Sequence, residues 1–441
     1  MPNFIPVEKI KIPHIAVNNP QQTIISNIKN PFSKNAFKSP IVASPTPAPE
    51  IKIPAPGEGL SRIIHYCADQ SGCAFWRMIW PGDELLANNK SVIMTLYQMV
   101  FNAAFYQGIT AVRLQRQCTE HQKNFIEFLR KVSDEFKKQT GKGFKIIWEV
   151  DDLIGPYECL PKYNVCTKSF KDEKIMETVK QILPLCDEMV CVSEPMREHY
   201  KKHLGYDRIS VIPNYMPKSW GDRGFDIERR MESYRNNKEK PCIVYAGSAT
   251  HFDLENATNQ MDDFAHVVDD IIRDIIGPKK FKWVFIGGLP MKLRQFMGRG
   301  VEFHNWCAIT DYMELLKSVN AQVMIAPLAD NVFSRCKADI KLSEGGALGI
   351  PVVAQNLDCY NKNNEWKWLF NTSSEMFDHI DNILKDEETY RNSVEISRQY
   401  AEKRWLKDHL EEWMLMYNTP YGDPERKKNE SFYSNNRNQF V

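Results

Sequence analysis

Two lysines and a glutamate in the last third of the chain have the types and spacing that suit ligand chemistry. The segment Asn331–Ala354 reads NVFSRCKADIKLSEGGALGIPVVA and places Lys337, Lys341 and Glu344 at i, i+4 and i+7, so on a helix they would share one face. The ammonium groups, with the N–H groups of a helix start, suit phosphates, and the carboxylate suits hydroxyls. We therefore predict a nucleotide-sugar diphosphate site, with ribose on Glu344. The alternative is a solvated helix with ordinary i, i+4 charge spacing.

The same segment predicts how that helix ends and which element comes next. Gly349 suits the position after a helix C-terminus, where the backbone turns left-handed. The next residues, Ile350–Ala354, are apolar throughout, as in a parallel strand that is buried on both faces. A helix that leads into such a strand indicates a doubly wound α/β sheet.

Length and composition limit the class of protein. The chain has 441 residues, which favours two domains, and 43% hydrophobic with 26% charged residues indicate a globular protein. Its 57 Lys and Arg balance 56 Asp and Glu, which argues against non-specific coating of nucleic acid. None of the 11 cysteines forms C-x-x-C, so the sequence predicts no zinc site and no disulfide framework, and free thiols fit a reducing cytoplasm.

Short apolar segments alternate with helical periodicity along most of the chain, which predicts two consecutive Rossmann-like series. The predicted divisions are a Pro-rich arm (1–59), an N-terminal domain (60–217), a linker (218–240), a C-terminal domain (241–395), a helix that returns to the first domain (396–418) and a polar tail (419–441). The uncharged tract Ser91–Val112 is predicted as a buried helix, Val92–Gln107, followed by a strand from Thr110 to Gln115. We expect neither a secretory signal nor membrane insertion.

Ligands bind at the carboxyl ends of the strands in such sheets, and two strand ends of the N-terminal domain carry candidate residues. Gly72 follows the apolar strand Arg62–Ala68 and would allow close backbone approach, with Phe75, Trp76 and Arg77 just after it. Asp151 and Asp152 end another strand. These two carboxylates could contact a substrate or could simply cap the next turn.

Several motifs resemble a known family. IVYAGSATHFDLE, FIGGL, VEFHNW, YMELLKSVNAQVMIAPL and KADIKLSEGGALGIPVVA resemble the donor half of GT-B glycosyltransferases, in the large retaining group that includes glycogen synthases. In the first half, IIHYCADQSGCAFWRM, IIWEVDDL, CDEMVCVSEPMREHY and VIPNYMP are similar to members of that group from large tailed bacteriophages. The resemblance implies the GT-B fold, an α/β architecture of two Rossmann-like domains facing across a cleft.

The resemblance also implies a donor site for a UDP-sugar. In this family an E-x7-E pair holds the donor; Glu344 matches its second member, but Cys336 stands at the first, so the sugar pocket departs from the pattern. Without a D-x-D motif, no divalent metal and no tightly bound cofactor are expected. Trp306 could instead be core, and Arg335 could pair with a surface acid. The donor-binding residues implied are Gly72, Gly247, Ser248, Thr250, His304, Trp306, Arg335, Lys337, Lys341 and Glu344, with Lys341 also stabilising the leaving group.

The phage-type resemblance implies the acceptor. In such phages enzymes of this architecture glycosylate 5-hydroxymethylcytosine in double-stranded DNA, with glucose or a pentose such as arabinose as the sugar, in the host cytoplasm. Asp151 or Asp152 would contact the acceptor hydroxyl or serve as base, and the predicted acceptor-binding residues are Phe75, Trp76, Arg77 and Arg116. Two alternatives stay open: transfer to a surface polysaccharide or lipid-linked glycan, and a non-catalytic nucleotide-sugar binding protein. The oligomeric state is left open.

Overall fold

A computed structural model describes residues 60–256, 261–362, 365–424 and 426–428 of the chain. The predicted arm, 1–59, and the part of the predicted tail beyond residue 428 lie outside the described residues. Of the part that is described, no helix is both long and apolar enough to cross a membrane.

The first sheet has six strands in the order β2-β1-β3-β4-β5-β6, and every pairing is parallel. We call this sheet with its helices the first lobe. Both faces of its central strands are buried, so their sequences show no apolar–polar alternation, and even their charged residues Arg113 and Glu149 are fully buried. The strands are β1 (Ser61–Tyr66), β2 (Ser91–Leu96), β3 (Ala111–Gln115), β4 (Lys145–Glu149), β5 (Glu188–Cys191) and β6 (Ile209–Val211).

The second sheet also has six parallel strands, in the order β12-β11-β10-β7-β8-β9. We call this sheet with its helices the second lobe. The strands are β7 (Cys242–Gly247), β8 (Lys282–Gly287), β9 (Val301–His304), β10 (Val323–Ala326), β11 (Val352–Gln355) and β12 (Leu369–Phe370).

Helices cover the faces of both sheets. A continuous helical run, Gly72–Ala74, Phe75–Ile79 in π geometry and then α1 (Trp80–Ala87), follows β1. The other helices are α2 (Glu120–Thr140), α3 (Lys174–Ile182), α4 (Glu194–Leu204), α5 (Lys218–Gly224), α6 (Ile227–Asn236), α7 (Val268–Ile276), α8 (Ile309–Val319), α9 (Val332–Arg335), α10 (Ile340–Ala347), α11 (Ser373–Leu384), α12 (Glu387–Glu402) and α13 (Leu410–Asn418).

The predicted helix Val92–Gln107 is wrong. The segment forms β2, which pairs with β1 over its whole length, followed by a 3-10 turn at Ala103–Tyr106. The β-branched residues Val92, Ile93 and Thr95 favour a strand. Pairing with β1 stabilises that strand although the spacing of the polar residues resembled that of a helix.

The predicted helix 396–418 is interrupted. The chain leaves α12 at Glu402, and the backbone around Trp405 pairs with Met216, whose N–H donates to Arg404 O at 3.0 Å. It then enters α13, which packs beneath the first sheet through Trp413 and Tyr417. The break lets the end of the chain cross from the second lobe back to the first.

Beneath the first sheet lies a buried ionic cluster. Glu149, with no exposed surface, pairs with Arg77 at 2.6 Å and also with Arg113. Both guanidinium groups lie over the ring of Trp413, at 5.1 and 4.2 Å from its centroid. One carboxylate therefore compensates two buried cations, and this cluster fastens α13 to the lobe.

Candidate functional site

The strand order of each sheet reverses once, and ligands bind at such switch points. In the first sheet the reversal lies between β1 and β3, and in the second between β7 and β10. The two ends meet: Ser193 Oγ donates to Cys336 O at 2.8 Å, and Tyr163 OH donates to Asp263 Oδ1 at 2.7 Å. The carboxyl ends of the two sheets therefore face one cleft between the lobes.

Lys337 and Lys341 lie on the second-lobe side of this cleft, and we call them the cationic wall. The prediction that Lys337 shares a helix face with Lys341 is wrong, because the chain is not helical from Lys337 to Asp339. Asp339 is fully buried and accepts hydrogen bonds from Tyr400 Oη at 2.6 Å and Arg404 Nε at 3.2 Å. These partners fix the start of α10 at Ile340, so Lys337 projects from the segment before the helix.

Lys337 forms an ion pair between the lobes at this cleft. Its Nζ lies 3.6 Å from Asp152 Oδ1 of the first lobe and 4.6 Å from the ring centroid of Phe333. Burial alone would lower the pKa of Lys337, but the carboxylates of Asp152 and Asp263 raise it above its usual range. The ammonium group thus stays charged in a site shielded from water.

Glu344 lies inside the second lobe rather than on a solvated helix face. Only 3% of its surface is exposed, which rules out the alternative of a solvated helix. Its Oε2 accepts from Tyr312 OH at 3.0 Å and from Lys341 Nζ at 3.2 Å. Among the described residues, none donates a hydrogen bond to Oε1, which leaves an acceptor for a ligand hydroxyl.

The predicted end of this helix is confirmed. Helix α10 stops at Ala347, and Gly349 follows with φ of +66°. A side chain at that φ would be strained, and its Cβ would lie 2.6 Å from the ring of Phe225. The chain then enters β11, which is buried and parallel to β10, as predicted.

The loop after β7 contains Gly247, Ser248 and Thr250, with Ser248 Oγ and Thr250 Oγ1 2.6 Å apart. It packs closely on the loop after β8, since a Cβ at Gly287 (φ +86°) would lie 2.6 Å from Gly247 O. Close approach of the two glycine-containing turns leaves backbone available to a ligand at the switch point.

A histidine–aspartate pair follows the same loop. His251 Nδ1 donates to Asp263 Oδ2 at 2.6 Å, and Asp263 Oδ1 also accepts from Ala329 N–H at 2.8 Å. Burial lowers the pKa of His251, and nearby Lys337 and Lys341 lower it further, although the bond to Asp263 opposes this. His251 therefore lies beside the cationic wall and is held there by Asp263.

Trp306 is exposed at the end of β9, with 60% of its surface free, which rules out the alternative of a core residue. The edge of its ring lies over Gly287, 3.1 Å from where a Cβ would stand. His304 is half-buried, and its Nε2 bonds to Glu302 Oε1 at 2.6 Å. An exposed indole beside a glycine turn can stack on a planar ring.

Arg335 and Cys336 do not fit the donor contacts of the family pattern. Arg335 donates to Asp330 at 2.8 Å and to Asp358 at 3.0 Å on the surface, in line with the alternative of a surface pair. Cys336 is buried in the core of the first lobe, where burial raises its pKa to about 12. Its thiol is neutral and apolar, and it supplies no substitute for the missing carboxylate.

Three carboxylates line the first-lobe side, Asp69 after β1 and Asp151 with Asp152 after β4, and we call them the acidic wall. Arg116, after β3, pairs with Asp69, and its Nε lies 3.3 Å from Asp151 Oδ1. Asp151 is buried, whereas Asp152 is partly exposed towards Lys337. Arg116 therefore positions Asp69 and Asp151, and Asp152 is the carboxylate that a substrate can reach.

The residues after Gly72 divide between the cleft and the core. A Cβ at Gly72 would meet nothing within 4 Å, so this turn is open. Phe75 is half-buried, but Trp76 is buried in the core of the second lobe. Arg77 points beneath the sheet, where its Nη1 donates to Ile212 O at 2.7 Å. The acceptor contacts predicted for Trp76 and Arg77 do not fit these positions, because both side chains are already enclosed.

Tyr312, Asp263 and Tyr163 lie at the site without any role having been predicted for them. Tyr312 and Asp263 lie in helical or apolar surroundings that look like ordinary core, and Tyr163 lies in a long loop. One sequence signal points to this group: His251, the partner of Asp263, lies four residues after Gly247 in a turn that follows a strand. Their grouping depends on how the lobes close, which local spacing does not encode.

No protein-family model and no curated protein matches the chain. Solved structures do: HepE of Anabaena in complex with UDP superposes with a TM-score of 0.53 at 9% identity, covering 80% of this chain and 98% of that one. The E. coli trehalose-6-phosphate structure bound with UDP-2-fluoro glucose gives 0.50 at 11% identity, covering 82% and 100%.

These likenesses extend over both lobes and nearly the whole length of each matched chain. Together with two parallel six-stranded sheets that face a cleft, they show that the chain has the GT-B fold of glycosyltransferases, as the sequence predicted. At such low identity a likeness establishes the fold alone, so activity has to be argued from the site.

Proposed function

We propose that the protein is a glycosyltransferase that takes its sugar from a UDP-sugar. The observation that carries the proposal is the 3.6 Å contact between Lys337 Nζ and Asp152 Oδ1, which puts the cationic wall and the acidic wall at one point of the cleft. A donor diphosphate on one wall and an acceptor hydroxyl on the other would bring the reacting atoms together there.

Each part of the second lobe supplies one contact to the donor. The diphosphate lies against the loop of Gly247, Ser248 and Thr250 and against the cationic wall. The ribose hydroxyls donate to Glu344, which Tyr312 and Lys341 hold in place. Uracil stacks on the exposed ring of Trp306. HepE and the E. coli protein were solved with UDP and a UDP-sugar analogue, which supports this choice of nucleotide.

Sugar transfer needs the charge of the departing UDP to be stabilised while the anomeric carbon becomes oxocarbenium-like. Lys341 and Lys337 supply positive charge fixed in a half-buried site, where an ion pair is stronger than in water. Asp152 accepts a hydrogen bond from the incoming hydroxyl. The ion pair of Asp151 with Arg116 holds the end of β4, and so the neighbouring Asp152, in place. In this scheme Lys337 exchanges Asp152 for phosphate when the donor binds.

We further propose that transfer requires no divalent metal, because the two ammonium groups already occupy the place where a metal would neutralise phosphate. The test is UDP release at saturating UDP-sugar with and without added Mg²⁺ or Mn²⁺. An unchanged rate supports the proposal, and strict dependence on either cation contradicts it.

For the acceptor, the first candidate is 5-hydroxymethylcytosine in DNA, with glucose or a pentose such as arabinose as the sugar. Its hydroxymethyl group is an uncharged alcohol that suits Asp152 once the base is flipped out of the duplex. Phe75 is half-buried and follows the open turn at Gly72, so of the two aromatic residues predicted for the acceptor it is the one that is not enclosed. Contacts to DNA phosphates would fall on residues other than Arg77 and Arg113, which are buried.

The acidic wall favours a second candidate, a glycan acceptor. Asp69, Asp151 and Asp152 repel a phosphate backbone but accept hydrogen bonds from sugar hydroxyls, and Arg116 is already engaged by two of these carboxylates. A polysaccharide end or a lipid-linked glycan would therefore suit this surface without further cations.

The deciding experiment incubates the purified chain with a panel of UDP-sugars and three acceptors: hydroxymethylated duplex, plain duplex and a lipid-linked glycan. Mass spectrometry of nucleosides and glycans then identifies the product. Sugar on hydroxymethylcytosine alone supports the DNA candidate, and duplex binding should then weaken steeply with salt. Sugar on the glycan supports the second candidate. UDP binding without turnover on any acceptor, or on water, would contradict an enzyme and leave a binding protein.

A further inference from the structure

A cysteine and two histidines lie together on the first lobe, in a place that the proposed reaction does not use. Cys159 ends the short 3-10 turn Tyr157–Cys159, and His199 and His203 lie one turn apart on α4. His199 is five residues beyond Glu194, the first residue of the helix, or about 8 Å along its axis. The cluster is thus set back from Ser193, the N-cap residue that contacts Cys336 of the other cleft wall.

We propose that Cys159, His199 and His203 form a zinc site. One ligand atom from each residue lies within 4.8 Å of the others, and the two imidazole centroids are 4.3 Å apart. Tetrahedral zinc with bonds of about 2.0 Å to nitrogen and about 2.3 Å to sulfur holds its ligand atoms about 3.4 Å apart. Rotations that move each side chain by about 1 Å close the difference.

The hydrogen bond of His199 fixes which nitrogen is available. Its Nε2 lies 3.1 Å from Gly155 O, and a carbonyl oxygen can only accept, so Nε2 carries the proton and Nδ1 presents its lone pair. A ligating histidine usually donates its other N–H to a carbonyl or carboxylate in this way. His199 is 9% exposed, so the ring is already ordered for binding.

The protonation states are compatible with zinc. Burial lowers the pKa of His199, and the hydrogen bond to Gly155 O opposes this. Burial raises the pKa of the Cys159 thiol, with Glu158 adding to the rise and Lys202 opposing it. Zinc therefore displaces one proton, from Sγ, when the zinc–sulfur bond forms, and affinity should rise with pH.

Two imidazoles and a thiolate bind zinc better than they bind harder cations such as Mg²⁺ and Ca²⁺, which prefer oxygen ligands. Water would complete the tetrahedron. The zinc would fasten the turn at Cys159 to α4. It would thereby also hold the segment that connects Asp151 and Asp152 to this turn. It would lie behind the acidic wall, without contact to either substrate. The sequence carries part of the signal, because His199 and His203 have the H-x3-H spacing of zinc ligands. Cys159 lies 40 residues before His199 and follows no C-x-x-C pattern.

The test titrates the full chain, stripped of metal, with Zn²⁺ in competition with a chromophoric chelator. One equivalent should bind, and Cys159→Ser and His203→Ala should each weaken binding by about 100-fold or more, since even the loss of a residue that only supports a ligand costs about 10–100-fold. The matched controls are Cys166→Ser and His121→Ala, two exposed residues of the same lobe, which should bind like the native chain.

Co²⁺ gives a spectroscopic readout on the native chain itself. The native chain with one equivalent of Co²⁺ should show a thiolate-to-metal charge-transfer band, and Cys159→Ser should lack it. No stoichiometric Zn²⁺ binding, or equal binding in site and control variants, would overturn the proposal. UDP affinity measured on the same samples keeps this result separate from the proposed function.

Discussion

Each lobe contains a pair of cations, and the two pairs are placed in opposite ways. In the first lobe Arg77 and Arg113 are fully buried beneath the sheet and share Glu149. In the second lobe Lys337 and Lys341 lie at the edge of the cleft, partly open to a ligand. A buried arginine compensated by a fixed carboxylate serves stability, whereas a half-buried lysine with one near carboxylate can exchange partners. Removing the charge that compensates Arg77 and Arg113 should therefore lower stability, whereas removing Lys337 or Lys341 should reduce function.

The largest expected effect comes from breaking the charge balance of the first lobe. Glu149→Gln leaves two buried guanidinium groups without their carboxylate, which should lower the free energy of unfolding by about 3–5 kcal/mol. Urea denaturation of the native chain and the variant measures this. The control is Glu411→Gln, which breaks an exposed pair with Lys90 and should change stability little. Equal stability of Glu149→Gln and the native chain would contradict the assigned role.

The matching change in the second lobe should affect turnover instead. Lys341→Ala removes positive charge from the departing diphosphate and should reduce kcat about 10²–10³-fold, the usual loss for one fixed stabilising group. Its unfolding free energy should stay close to native, and Lys385→Ala, an exposed lysine of the same lobe, should retain full turnover. Undiminished kcat in Lys341→Ala would remove this residue from the donor site.

The behaviour of these cations also shows what the sequence could predict. The segment from Lys337 to Ala354 was recognisable because strand, glycine and charge follow one another locally, and the fold followed from the same alternation. Arg77 was misplaced, because the turn after Gly72 continues through a π-helical stretch whose inner side faces the core. His251 and Asp263 lie 12 residues apart in the connection between β7 and α7, and Tyr312 and Glu344 lie on α8 and α10. Neither spacing is that of a helix face or a strand, so it carries no signal of the contact.

A third change sharpens the donor side of the comparison. Glu344→Gln should weaken UDP binding by about 1.5–3 kcal/mol, or about 10–150-fold, because hydrogen bonds to a charged acceptor are lost. Calorimetry that compares the binding of UDP with that of 2′,3′-dideoxy-UDP shows whether the ribose hydroxyls are the groups that Glu344 binds. Glu344→Gln and the native chain should bind the dideoxy compound with similar affinity, since it lacks the hydroxyls. A loss of the same size for both ligands would mean that Glu344 acts on something other than ribose.

Beneath the first sheet, pH provides another test of buried charge. His65 is fully buried, accepts from Tyr417 OH at 2.7 Å through Nε2 and lies near Arg113; burial and that cation lower its pKa from 6.5 to about 3. Between these values the unfolded chain binds a proton that the folded chain does not, so stability falls as pH falls. From pH 6.5 to 5 this group should cost about 2 kcal/mol.

Urea denaturation at both pH values measures that loss. His65→Asn, whose amide can still donate and accept, should show a shallower dependence on pH than the native chain, because it does not titrate. His121→Asn, at an exposed position, should keep the native slope. Identical slopes in all three proteins would show that His65 titrates alike in both states.

The smallest expected effect tests the exposed end of the second lobe. Trp306→Ala should weaken UDP binding by about 1 kcal/mol, or about fivefold, at the low end for stacking on a base because the ring is open to water. Trp306→Phe keeps a stacking face and should recover most of the affinity. Trp306→Ala should weaken the binding of uridine as much as that of UDP, since stacking involves the base alone. Lys341→Ala should weaken the binding of UDP and leave that of uridine unchanged. If Trp306→Ala affects UDP but not uridine, the indole supports the phosphate loop through Gly287 rather than the base.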